Sequence, residues 1–107
     1  MTEHDLRQYH LMLNQLIKFG EGQIALDVLV NDLEGLLNAL EGISSSWKQA
    51  FLHEWGKLED ERAYALFKNL QRLDQETSQR IRLPVSKLKL LVLEKVDDPA
   101  NRRRDGT

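Results

Sequence analysis

The three histidines, His4, His10 and His53, are the side chains best suited to move protons or ligate a metal near neutral pH. Their spacing argues against both roles. His4 and His10 are six residues apart, which places them on different sides of a helix. The sequence has no His-Glu-x-x-His motif, the arrangement that brings two imidazoles to one metal. It also lacks a Gly-x-Ser-x-Gly elbow and a glycine-rich phosphate loop. With no cysteine, a thiol nucleophile, a disulfide and Cys-bound zinc are all excluded. The expectation is a protein that is not an enzyme, with no catalytic residue, no metal and no cofactor, its histidines facing solvent.

The charged residues are more informative. Arg62 falls near the middle of an apolar helix face, between Leu58 and Leu66, where a guanidinium must snorkel, pair or reach a partner. Glu59, three residues earlier, is in reach along the helix, and the pair reads as an ion pair bridging helices. Upstream, Asp27, Asn31, Glu34, Asn38 and Glu41 recur at spacings of four, three, four and three, one polar line along a helix. Leu26, Leu29, Val30, Leu33, Leu36, Leu37 and Leu40 make the opposite face. Carboxylates held on a rigid helix repel phosphate but complement a basic protein surface, such as the substrate face of a nuclease. Glu54, Asp60, Glu61 and Tyr64, on the next helix, are further candidates behind that row. Tyr64 and Phe67 are aromatics where solvent is expected, unless the last helix folds over them.

Charge is segregated along the chain although the net value is only −2. Residues 21–61 hold nine acids against two bases, and residues 62–107 eleven bases against six acids. Such a field steers partners of opposite sign. The basic residues are scattered around their helix, apart from Arg102-Arg103-Arg104, so direct nucleic-acid binding is not expected.

The elements that position these residues are all helical. Residues 4–19 carry apolar positions at helical spacing and stop at Gly20 and Gly22. Asp27 reads as the cap of a second helix that Gly42 ends. Gly35 lies on the exposed side of that helix, where it costs roughly 1 kcal/mol relative to Ala; a close approach would explain it. Ser46 with Gln49 fits a capping box for a third helix, with Trp47, Phe51, Trp55, Leu58, Ala65 and Leu66 on its apolar face. Leu70 and Leu73 lead to a turn at Asp74, and a last segment runs from about residue 75 to 96. Pro84 in it marks a kink or the first turn of a new helix. Ile81, Val85, Leu88, Leu91 and Val92 make its inner face, widened by Leu83, Leu90 and Leu93. The reading is all-α: a bundle of four or five antiparallel helices in a single domain, 1–96, with a flexible tail, 97–107. No apolar run approaches the ~20 residues of a membrane span, and the N-terminus lacks a secretory layout, so a cytoplasmic protein without membrane contact is expected.

One stretch resembles a known family. Gly22, Ile24, Leu26, Leu29-Val30, Asp32-Leu33-Glu34, Leu36-Leu37 and Ala39-Leu40-Glu41 are followed by Trp47, Phe51, Trp55, Leu58-Glu59 and Tyr64-Ala65-Leu66. This pattern, over about residues 20–67, looks like small helical bacterial immunity proteins encoded beside polymorphic toxins, including those of contact-dependent growth inhibition. The resemblance implies a protein that binds a cognate toxin domain in the cytoplasm and blocks its active site or substrate path. Nuclease toxins are usually basic, so the acidic half would dock. The rival reading is a helical regulator or adaptor, a homodimer joined through Leu83, Leu90 and Leu93.

Overall fold

The computed structural model describes residues 2–68 and 75–96. They form four α-helices: α1 (Glu3–Gly20), α2 (Leu26–Ala39), α3 (Ser45–Phe67) and α4 (Gln75–Val96). The all-α class expected from the sequence is the one found, and the described residues contain no strand. Leu70, Leu73, the turn at Asp74 and the tail 97–107 lie outside the described residues. Among the described residues, no helix is long and apolar enough to cross a membrane.

Helix periodicity dictates the core. Tyr9, Met12 and Leu16 of α1, Leu29 and Leu33 of α2, Phe51 and Leu58 of α3, and Leu88 and Val92 of α4 are all fully buried. Their spacings of three, four and seven place one stripe of each helix inward. Each such burial contributes about 1.5–3 kcal/mol. α1 packs on α2 and α4, and α3 packs on the same two, so every helix has two main neighbours around one core. Cross-links join particular ends. His4, at the start of α1, meets the carbonyl of Ala39, at the end of α2. Trp47, at the start of α3, meets Leu91 late in α4, and Glu61 late in α3 meets Arg80 early in α4.

The helix ends depart from the sequence expectations in instructive ways. Asp27 is not the cap of α2: Ala25 takes that position without a side-chain hydrogen bond, and α2 begins at Leu26. Leu26 is buried, so the helix starts early enough to carry it into the core, and Asp27 sits in the first turn where the helix dipole favours an anion. Gly42 does not end α2, which stops at Ala39 with Leu40 extended. Ser44 caps α3, not Ser46, its hydroxyl accepting from the Trp47 N–H at 3.2 Å. Ile43 is packed against the core just before it, so the helix begins as soon as the chain leaves that contact. Gly22 closes the turn after α1 at φ 76°, a backbone angle that side chains disfavour.

Pro84 is buried inside α4 and opens no new helix. A proline there removes one helical hydrogen bond and crowds the carbonyl of Arg80. Ile81, Val85, Leu88 and Val92, buried on both sides of it, hold one continuous helix through that defect. Leu83 and Leu90, expected to widen the inner face, are instead 60% and 63% exposed.

Candidate functional site

The polar line of α2 faces solvent as its spacing requires. Asp27, Asn31, Glu34 and Asn38 are exposed along α2, while Leu26, Leu29, Val30, Leu33 and Leu37 of the same helix are buried. Glu41 is also exposed, but it follows the end of the helix and is carried by the loop. That loop is held from α1. The Asp5 carboxylate accepts from the N–H groups of Glu41 and Gly42 at 2.9 and 2.8 Å, and His4 Nε2 lies 2.7 Å from the Ala39 carbonyl oxygen. His4 is therefore a structural contact at the end of α2 and not a free surface histidine, with Glu41 3.5 Å away.

Gly35 sits in the middle of this face. A Cβ added to it would meet nothing within 4 Å, so packing inside the chain does not demand glycine. A shallow cavity of about 330 Å³ lies over it, between Leu11 and Gln15 of α1 and Asn31, Asp32 and Leu36 of α2. Gln15 Nε2 donates to Asp32 Oδ2 across the same seam. Leu11 and Val28, both exposed, add apolar surface to the region.

α3 supplies the second set of candidates and divides them. Glu54 is buried, 5% exposed, which corrects its placement on an accessible surface. The reason is register: positions 47, 51, 54 and 58 follow the four-three-four stripe that faces the core. Lys57 Nζ, 3.3 Å away, and His53 partner its carboxylate. Trp55 is only half-buried, and its indole N–H donates to the Val30 carbonyl at 3.0 Å, tying α3 to α2. Trp47 is the buried indole, edge-on to Tyr9 with ring centres 5.5 Å apart and against Phe51 at 5.3 Å. Leu66, expected on the inner face, is 67% exposed.

Arg62 pairs with Glu59 through two hydrogen bonds of 2.9 and 2.7 Å. The pair lies within α3 and does not bridge helices. Hydrogen bonding to Arg62 holds the Glu59 carboxyl below its ordinary value, and the same contact raises the guanidinium. The charges of Asp27 and Glu34 on α2 act on Arg62 in the same direction, so the acidic line of α2 runs beside this cation.

Glu61 and Tyr64 belong to a different seam. Arg80 of α4 donates to both Glu61 oxygens at 2.8 and 3.0 Å and stands 5.9 Å from the centre of the Tyr64 ring. Lys68 stands 5.8 Å from the same ring. Tyr64 stays 42% exposed and Phe67 82%, so α4 does not fold over them. Asp60 is exposed. The candidates therefore split: an open row on α2 and its following loop, and an α3–α4 seam where Glu61 is already neutralised. The described residues hold no group of three His, Asp or Glu side chains placed to bind a metal. Comparison with known proteins adds no relative: no family model, no curated protein and no solved structure matches the chain.

Proposed function

We propose that this chain is an immunity protein: a cytoplasmic inhibitor, without catalytic activity of its own, that binds and neutralises a cognate toxin domain, a basic nuclease. The observation that carries this reading is the α2 face, where Asp27, Asn31, Glu34 and Asn38 stand exposed in line over a helix whose other side is buried core. An antiparallel helical bundle would make that face rigid, so docking orders few side chains. Shape supports the same face: Gly35 and the shallow cavity over it let a partner's side chain approach the helix backbone. Leu11 and Val28 at its edge offer the apolar contact that a charged rim alone lacks. Glu54 drops out of the contact set, and Glu61 and Tyr64 become secondary to the α2 row.

The test is to co-express this chain with the C-terminal domain of the protein encoded immediately upstream. A one-to-one complex that rescues cells from that domain is the expected outcome. The absence of both toxicity and a complex would remove the reading. A second reading rests on Leu83 and Leu90, exposed one above the other on α4, seven residues apart. They suit a homodimeric regulator, which light scattering on the isolated chain would reveal as twice the monomer mass.

A further inference from the structure

At the Asp27 end of the α2 row, an open cavity of about 870 Å³ lies where the end of α1, the start of α2, the end of α3 and the first half of α4 meet. Pockets of about 300–1,000 Å³ hold small-molecule ligands. Its apolar lining comes from four elements: Phe19, Leu26, Ala65, Ile81 and Val85. Along α4, Ser78, Arg82, Ser86 and Lys89 recur at spacings of four, four and three, forming a polar edge beside the Ile81–Val85 strip. From Ser78 to Lys89 that edge runs about 16 Å, at about 1.5 Å per residue.

The charges around this cavity do not cancel. Among the described residues, Asp27 is its one lining carboxylate, and it stands near Arg62, which is already paired with Glu59. Arg82 and Lys89 have no ion pair among the described residues. Lys89 Nζ lies 3.7 Å from where a Cβ on Gly20 would sit, which puts the ammonium beside the negative end of the α1 dipole. A long apolar trough with two unpaired cations on one edge complements an elongated apolar body carrying a single anionic head.

We infer that this cavity binds a medium-chain carboxylate, its acyl chain lying against Phe19, Ala65 and Leu66 over a floor of Ile81 and Val85, and its carboxylate taken by Arg82 or Lys89. Asp27, on the α2 wall, excludes the head from the opposite side. The site shares Asp27 with the proposed docking row, but the inference stands whether or not that reading does.

The test titrates the full-length chain calorimetrically with dodecanoate below its micelle concentration, beside dodecanol and dodecyltrimethylammonium. Saturable one-to-one binding of dodecanoate, at least about tenfold tighter than either analogue, is expected from a charge-assisted head contact. Arg82→Glu with Lys89→Glu, two substitutions outside the buried core, should reverse the order in favour of the cation while the melting curve stays in place. Equal affinity for the three heads, no binding at all, or an unchanged order in the double variant would overturn the assignment. Capture by anionic vesicles without uptake of free dodecanoate would overturn it too, pointing to a membrane surface instead.

Discussion

Asp5 sits in the first turn of α1 with 1% of its surface exposed, and both its oxygens are used by backbone 36 and 37 residues away. Asp5→Ala strips the acceptors from the N–H groups of Glu41 and Gly42. The expected cost is about 2–3 kcal/mol, seen as a lower urea midpoint at unchanged slope. A loss under about 0.5 kcal/mol would mean that water replaces the carboxylate without penalty. One turn further on, burial and then the charge of Asp5 push the Tyr9 phenol from 10.0 up to about 12. Below pH 10 the phenol is neutral in both folded and unfolded chains, and its contribution is fully present. Between pH 10 and about 12 the unfolded chain ionises first, so stability falls as pH rises. The loss attributable to Tyr9 is on the order of 2 kcal/mol. In thermal melts of wild type and Tyr9→Phe across that range, wild type should lose stability relative to the variant as pH rises. Parallel curves would show that the folded chain ionises Tyr9 as readily as the unfolded one.

At the scale of the helices, a period of 3.6 residues was enough to read α1, α2, α3 and α4 to within a residue or two, because one buried stripe per helix fixes each of them. What periodicity could not decide was the exact rotation and the ends. Three successive serines can each cap α3, and tertiary burial of Ile43 selects Ser44. The two tryptophans are eight residues apart, and only contacts with Tyr9 and Phe51 decide that Trp47 goes inside while Trp55 stays half-exposed. That rotation carries Glu54 inward. The exposed row on α2 was legible for the opposite reason: seven apolar residues on one face leave the other side no choice. Gly35, on that row, offers a direct test of whether its bareness has a use. In an exposed helix interior with nothing within 4 Å of the added methyl, Gly35→Ala should stabilise the fold by about 1 kcal/mol. If a partner closes on the backbone there, the same variant should bind it at least about threefold more weakly, through faster dissociation. Higher stability with unchanged affinity would place the close approach elsewhere.

Across the whole molecule, charge separation in sequence survives only partly as charge separation in space. Arg80 brings the basic half back onto Glu61, beside Tyr64 and its own helix's Glu76, and so neutralises the α3–α4 seam. Arg62, spent on Glu59, leaves Asp27 and Glu34 beside it with no ion pair of their own among the described residues. Among the described residues, the charges left without an ion pair include Asp27 and Glu34 on α2 and Arg82 and Lys89 along one edge of α4, where the cavity opens. A basic partner would be steered to the first and away from the second. Glu34→Lys inverts one charge at the centre of the α2 row. Because the residue is exposed, folding should change by less than about 0.5 kcal/mol. Association with the basic partner recovered by co-expression should slow by about tenfold at low salt, with the gap closing as salt screens the field. Arg82→Glu, on the other side, should leave that rate unchanged or raise it slightly. Stopped-flow association at two salt concentrations separates the possibilities: a speeding by Arg82→Glu as large as the slowing by Glu34→Lys would mean that net charge alone steers, and that the α2 row has no special place in docking.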